Sequence, residues 1–314
     1  MTDGAKVWGL HLLVLAAVFA AQFLLPPYHA TNLARIMVLA VFAMGYNIAF
    51  GYTGLLSLGH ALFFAAGMYG MGLPVWHLEW VSVPALIAGL LAGGVMAGAV
   101  GVLALRTAGV SFMIVTLMFA QAGYLTLLYL NSWTGGDEGF VVASAARQAF
   151  GFSLATDTPR FTAAFVLFAA GLLACLWLVR SPFGRVMVAM RENEERSRML
   201  GYDPFRVKLV ALILSGLYAG LAGAAYGMLF GYVGASFATI QYSILPMLYV
   251  LLGGAGTVLG PFLGALLMFY LIDITSNYTD AYLFVVGAAL VGLVLFAPKG
   301  ILGTLRERAW RWLP

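Results

Sequence analysis

The sequence predicts an all-α integral membrane protein, and three observations carry that expectation. The 314-residue chain is 63% hydrophobic and only 9% charged, against roughly 25% charged in an ordinary soluble domain. Its apolar residues gather in runs approaching the ~20 residues that cross a bilayer. Thirteen of its sixteen Lys and Arg residues fall on one side of those runs. A soluble core could not hide this much apolar surface, and too few charges remain to coat an exterior. The net charge of +4 does not point to nucleic acid, because the basic residues cluster between apolar runs.

Ten crossings are predicted, at about 8–25, 33–50, 58–73, 81–103, 109–130, 161–180, 207–231, 241–252, 257–273 and 281–297. The first follows Lys6 in the manner of a signal peptide. No small-residue cleavage site precedes Pro26-Pro27, so it is read as a span. With the N-terminus inside, the cytoplasmic segments hold Lys6, Arg106, seven basic residues from Arg180 to Lys208, and Lys299, Arg306, Arg308 and Arg311. Only Arg35, Arg147 and Arg160 fall outside. This satisfies the positive-inside rule and places both termini in the cytoplasm of a bacterial-type inner membrane. Residues 1–314 form one transmembrane domain, with an extracytoplasmic loop at about 131–160.

Two of the crossings are interrupted. Gly51-Tyr52-Thr53-Gly54, Ser57 and Gly59-His60 break the pattern near 51–60, and Gly253-Gly254-Ala255-Gly256 with Gly260-Pro261 break it near 253–261. The run 241–252 is also too short to span at 1.5 Å per residue. These breaks fall at the third and eighth crossings, corresponding places in two halves of five. An odd number of spans per half makes the halves inverted, and paired glycine-rich breaks in inverted halves point to a translocation site. The candidate pathway residues are therefore Gly51, Tyr52, Gly54, Ser57, Gly59, His60, Gly253, Gly254 and Gly256. The blander reading is that the glycines only let helices pack closely. His60 either offers a hydrogen bond beside the pathway or donates to a backbone carbonyl freed by the break.

Other small residues read as packing faces: Gly89, Gly93, Ala97 and Gly101, and likewise Ala219, Gly223, Gly227 and Gly231, recur every four residues. Cys175, the lone cysteine, sits in an apolar run and reads as a small buried thiol.

Between Ser181 and Lys208 lies the one long charged segment on the inner side. Ser181-Pro182 reads as an N-cap with Pro at the first helical position. Val186, Met187 and Met190 form an apolar stripe, and Glu192–Arg196 and Glu194–Arg198 are favourable i,i+4 pairs. Gly201 reads as a C-cap, and Asp203-Pro204 restarts a helix. The segment is either a surface helix or a docking helix for a soluble partner.

No catalytic constellation is found. The chain has no G-x-x-x-x-G-K-[ST] phosphate loop, and its histidines at 11, 29, 60 and 77 lack ligand spacing. No metal site, cofactor or enzymatic activity is expected. Carboxylates lie outside the spans or at their ends, Asp273 coming closest. That argues against an ion-coupled carrier, which usually keeps an ionisable group in mid-membrane. The turn-rich run Thr134 to Gly139 either receives a partner or is a solvated turn.

The run from Gly51 to Phe64, with Gly67 and Tyr69, resembles the signature of M-type permeases of branched-chain amino-acid ABC importers. Further matches are Ser181-Pro182-Phe183-Gly184-Arg185 with Arg191-Glu192-Asn193-Glu194, Leu200-Gly201-Tyr202, Leu251 to Thr257 with Gly260-Pro261, and Phe296-Ala297-Pro298-Lys299-Gly300. The resemblance implies a permease subunit that pairs with a homologous H-type subunit, binds two cytoplasmic ATP-binding subunits and accepts solute from a periplasmic binding protein. It also implies that 181–201 is the coupling helix, with Arg185, Met190, Arg191, Glu192, Asn193, Glu194, Leu200 and Gly201 at the ATPase contact. Leu55 stands where the family often has Gln, a choice compatible with urea- and amide-type relatives. A self-contained secondary transporter is the alternative from another class.

Overall fold

The structure, a computed structural model, describes residues 3–149, 151–279, 281–309 and 312. It is helical throughout its apolar runs. In order come α1 (Asp3–Leu24), α2 (Pro27–Asn47) continued by a π-helical turn over Ile48–Tyr52, α3 (His60–Leu78), α4 (Ser82–Ala104), α5 (Val110–Tyr129) and the single turn α6 (Asn131–Thr134). The loop that follows carries β1 (Phe140–Val141), β2 (Gln148–Ala149) and β3 (Phe152–Ser153). Then come α7 (Asp157–Arg180), α8 (Pro182–Glu192), α9 (Glu194–Met199), α10 (Pro204–Phe230), β4 (Tyr232–Val233), a 3-10 turn over Ala235–Ala238, α11 (Ile240–Gly253), α12 (Gly260–Ser276), α13 (Tyr282–Phe296) and α14 (Gly300–Arg308).

Each of the ten apolar runs is occupied by a helix, but the lengths divide them. Seven helices are long and apolar enough to cross a membrane: α1, α2 with its π turn, α3, α4, α5, α7 and α10. Helices α11 and α12 are apolar but have only 14 and 17 residues, and α13 has 15.

α2 is the centre of the bundle. Its apolar window is 89% buried, against 22% for α1 and 17% for α5, and it packs against α7, α10, α11 and α12. Large side chains that are fully buried, among them Phe42, Met44 and Tyr46, project from it. A second packed unit joins α3, α4 and α10 through glycines. A Cβ on Gly93 would sit 2.5 Å from Gly220 Cα, and one on Gly67 would sit 2.1 Å from Gly220 O. Such backbone-to-backbone approach is what small residues permit in a membrane bundle. The predicted stripe of α4 does face α10, where it meets Gly216, Gly220 and Ala224. The predicted α10 stripe packs elsewhere: a Cβ on Gly223 would fall 2.0 Å from Phe64 O of α3. Two small-residue faces of one helix thus serve two neighbours. Cys175 is fully buried.

The loop at 131–160 is folded. β1 pairs with β4 in the register Phe140↔Val233, and β2 pairs with β3. Arg147 donates from Nε to Met228 O at 2.8 Å and from Nη2 to Leu229 O at 2.5 Å, so it caps the last turn of α10. Burial, with Arg160 nearby, holds its pKa below the usual arginine value. The run 134–139 is fastened at both ends by Thr134 Oγ1 to Leu127 O (2.6 Å) and Tyr232 OH to Glu138 O (3.0 Å). It is therefore a braced turn.

Candidate functional site

The two breaks meet at one place in the bundle, and Asn47 joins them. This last residue of α2 donates from Nδ2 to Thr257 O at 2.9 Å, while its Oδ1 accepts from Gly256 N at 3.0 Å. Both amide groups of a fully buried side chain are thereby used on the backbone of the second break. Gly51 follows one turn later, and a Cβ there would lie 2.6 Å from Gly256 N. Gly51 has no room for a side chain at this crossing, and Gly256 holds φ +73°, which a side chain strains.

Each break is also held by an arginine from a short outer helix. Arg191 Nη1 of α8 donates to Gly51 O. Arg306 Nη1 of α14 donates to Gly256 O at 3.1 Å. Gly51 lies in the π turn that ends α2, where carbonyls lack an intrahelical donor and a cation is favourable, and Gly256 lies in the connection between α11 and α12. The arrangement is a lock: two breaks joined by one amide, each tied to an outer helix.

The first break then climbs into the bundle. Leu55 N returns to Ala49 O at 2.8 Å, and Gly54 adopts φ +78°, a conformation natural to glycine. Leu58 N donates to Thr116 Oγ1 of α5 (3.2 Å), Gly59 N to Ser57 Oγ (3.1 Å), and Ala61 N to Ser243 Oγ of α11 (2.9 Å). His60 Nε2 lies 2.8 Å from Ser215 Oγ of α10. Ser215 is eleven residues beyond Pro204, so His60 opens α3 about 16 Å along α10, at 1.5 Å per residue. His60 thus has a hydroxyl partner on α10 at Nε2, with the Ser57 backbone of the break beside its ring. The unwound backbone is satisfied by protein, one of the two conditions under which it is tolerated at membrane depth.

The nine expected pathway residues therefore divide. Gly51 and Gly256 are brought together, with Tyr52 buried beside them. Gly253 and Gly254 pack on α12 and α14: a Cβ on Gly253 would sit 1.8 Å from Gly260 O, and one on Gly254 would sit 2.6 Å from Gly303 N. Gly59 meets Thr116 of α5 and His60 meets Ser215 of α10, while Ser57 is buried and accepts from Gly59 N. Gly54 alone of the nine is exposed. It lines a cavity of about 1050 Å³ shared with Arg191, Glu194 and Gly201.

The charged segment is two helices, where one was expected. Ser181 caps α8 by accepting from Gly184 N at 3.1 Å, as its sequence implies. Asn193 then turns extended (φ −156°, ψ 102°) and caps α9, its Oδ1 accepting from Arg196 N at 2.8 Å. The break puts Glu192 and Arg196 on different helices, so the expected i,i+4 pair does not exist. The pair Glu194–Arg198 does, at 3.8 Å, and Lys208 Nζ reaches Glu194 at 2.5 Å. Gly201, at φ +91°, follows the end of α9, and Asp203 caps α10 by accepting from Phe205 N at 3.0 Å.

The Met stripe faces inward. Met187 and Met190 are buried with Ile48, Tyr52, Val207 and Ala211, so Met190 supports α8 on the π turn and is not open to a partner. The apolar residues that are exposed lie at the tip: Met199 (81%) and Leu200 (72%), followed by Tyr202. Arg185, Arg191, Glu192, Asn193 and Gly201 are exposed as well. Asn47, Arg306 and Met199 were missed from sequence. Asn47 carries a weak signal, as a polar residue at the end of an apolar run; the other two carry none.

A family model described as "Branched-chain amino acid transport system / permease component" matches residues 29–297. The high-affinity branched-chain amino acid transport system permease protein LivM of Salmonella typhimurium is 28% identical, over 98% of this chain and 78% of its own length. LivM of Escherichia coli is 30% identical, over 87% of this chain and 69% of its own. LivH of Escherichia coli is 25% identical, over 84% and 91%. No solved structure matches the chain.

Proposed function

The chain belongs to the family of branched-chain amino acid transport permease components, and from that premise we propose that it is the membrane permease of an ATP-driven importer of branched-chain or other hydrophobic amino acids. Its partners are a homologous H-type permease, two cytoplasmic ATP-binding subunits and a periplasmic binding protein. It lies in a bacterial inner membrane with both termini cytoplasmic and ten crossings in two inverted halves. The distribution of thirteen basic residues against three supports that orientation. Similarity to both LivM and LivH supports a companion of related sequence.

The observation that carries the reading is the link from Arg191 to Gly51 O. It ties a helix with an exposed, charged outer face to the backbone where α2 is interrupted. An ATPase seated on the α9 tip moves α8. That movement acts on the Arg191–Gly51 contact and, through Asn47, on the second break. The lock opening and closing is the two-state element that alternating access requires. Hydrolysis occurs in the partner, and this chain contributes no catalytic group. The urea- and amide-type alternative rests on Leu55, which is 7% exposed and lines the same cavity as Gly54.

Replacing Arg191 and Glu192 together by Ala leaves the chain inserted and paired with its companion permease. Uptake by the full complex in proteoliposomes falls at least tenfold. Normal uptake by that double variant would defeat the coupling assignment. Competition among leucine, isoleucine, valine, urea and short amides identifies the solute. Gradient-driven uptake by the chain alone, without ATP, would establish a secondary carrier in its place.

A further inference from the structure

Arg35 is placed by sequence at the outer rim of a crossing, among the three basic residues outside. In the structure it lies eight residues into α2, about 12 Å along the axis of the most buried helix. A charged side chain at such a position is costly and marks function unless it is paired. Arg35 has no ion pair or hydrogen bond among the described residues, and its buried Nε is without a partner. Its guanidinium carbon stands 5.2 Å from the centroid of the Phe230 ring.

Asp273 of α12, an acid near the start of α2, is already engaged. It takes the Tyr28 hydroxyl at 2.8 and 2.9 Å. A second donor stands beside Arg35. Asn32 is three residues earlier, on the same helix face. It is only 5% exposed, and its Nδ2 also lacks a partner. Two unmet donors on one face are rare in a folded interior and call for an explanation.

The surroundings are aromatic. Tyr226 and Phe230 of α10 lie tilted to each other with centroids 4.8 Å apart, and Phe237 lies 5.2 Å from Tyr226 and 4.8 Å from Tyr242 of α11. Arg35 is close enough to Tyr226 and Tyr242 to act on both electrostatically. Neither tyrosine hydroxyl has a hydrogen-bond partner among the described residues. Tyr226, Phe230 and Tyr242 each keep part of their surface accessible. A planar guanidinium beside a primary amide is suited to a carboxylate, which a guanidinium binds bidentately. A floor of aromatic rings is suited to an aliphatic side chain.

We propose that Arg35 and Asn32 bind the carboxylate of the transported amino acid, whose apolar side chain lies on the Tyr226–Phe230–Tyr242 surface. This rests on the reading of the chain as an amino-acid permease, and it adds a named solute site in the half of α2 away from α8. Lipid phosphate offers similar oxygens. However, the donors sit on a helix enclosed by α7, α10, α11 and α12, so the free solute is the assigned source.

The test uses the complex with its companion permease and ATPases. Thr239, one turn before Tyr242, is changed to Cys as a reporter; the native Cys175 is fully buried and silent. Leucine protects T239C from a small charged thiol reagent, and leucinamide, which lacks the carboxylate, protects at least tenfold less well. Adding Arg35→Gln raises the leucine concentration for half-protection at least tenfold, as expected for loss of a charge-assisted pair. Arg35→Lys recovers part of that loss, and Asn32→Leu raises the concentration a few-fold. Subunit assembly, read by co-purification of the companion permease and ATPases, stays unchanged in all three. Equal protection in R35Q and the parent, or equal protection by leucine and leucinamide, overturns the site. If the unmodified complex takes up no branched-chain amino acid at all, the functional reading fails instead, and the site falls with it.

Discussion

At the first break, residues 53–59, the freed donors are met by hydroxyls from remote helices: Thr116 of α5 takes Leu58 N, and Ser243 of α11 takes Ala61 N. At the second, residues 254–259, the chain turns by backbone approach, with Gly253 and Gly264 pressed against Gly260 and Tyr249 carbonyl regions and Gly254 and Gly256 at positive φ. The first is a polar connection that needs partners. The second is a steric connection that needs the absence of side chains. Two stretches that look alike as glycine-rich interruptions are therefore stabilised by different physics, and they will fail differently.

The largest effect is expected at the steric break. Gly253→Ala puts a methyl group 1.8 Å from Gly260 O, where only backbone displacement can relieve it. A cost of about 3 kcal/mol is expected, read as a fall in the thermal unfolding midpoint in detergent. Next comes the amide that joins the breaks. Asn47→Ala leaves Gly256 N–H and Thr257 C=O buried and unpaired, for about 2 kcal/mol in the same assay. The smallest effect belongs to the polar break: Ser243→Ala removes one partner of Ala61 N and costs about 1 kcal/mol. An S243A variant as damaged as G253A would abolish the contrast. An N47A variant without effect would show that the breaks are held by the arginines alone.

Much of the fold was legible in sequence because membrane spans are set by local composition. The apolar runs, the caps at Ser181 and Asp203 and the glycine at 201 all act within a few residues of themselves. The sites where both breaks occur were legible for the same reason. Arg35 was misplaced because a helix boundary cannot be read to the residue: α2 begins at Pro27, several residues before the expected 33. The Met stripe was identified as apolar, but its direction was not. Whether it faces a partner or the π turn depends on the orientation of α8, which Asn193 and the Glu194–Lys208 contact help to set. The small-residue face of α10 was seen once where there are two, because a four-residue repeat does not reveal how many neighbours a helix has.

By itself the sequence determined which apolar runs become helices, where two of them are interrupted and which family the chain belongs to. Each of these follows from short-range chemistry or from residues kept in order along the chain. Only the tertiary structure decided that Asn47 joins residues 210 positions away, that Arg191 and Arg306 hold the two breaks, and that Arg35 stands unpaired inside the bundle. Those facts depend on which helix faces which. That is settled by packing among distant segments, for which composition and spacing carry no record.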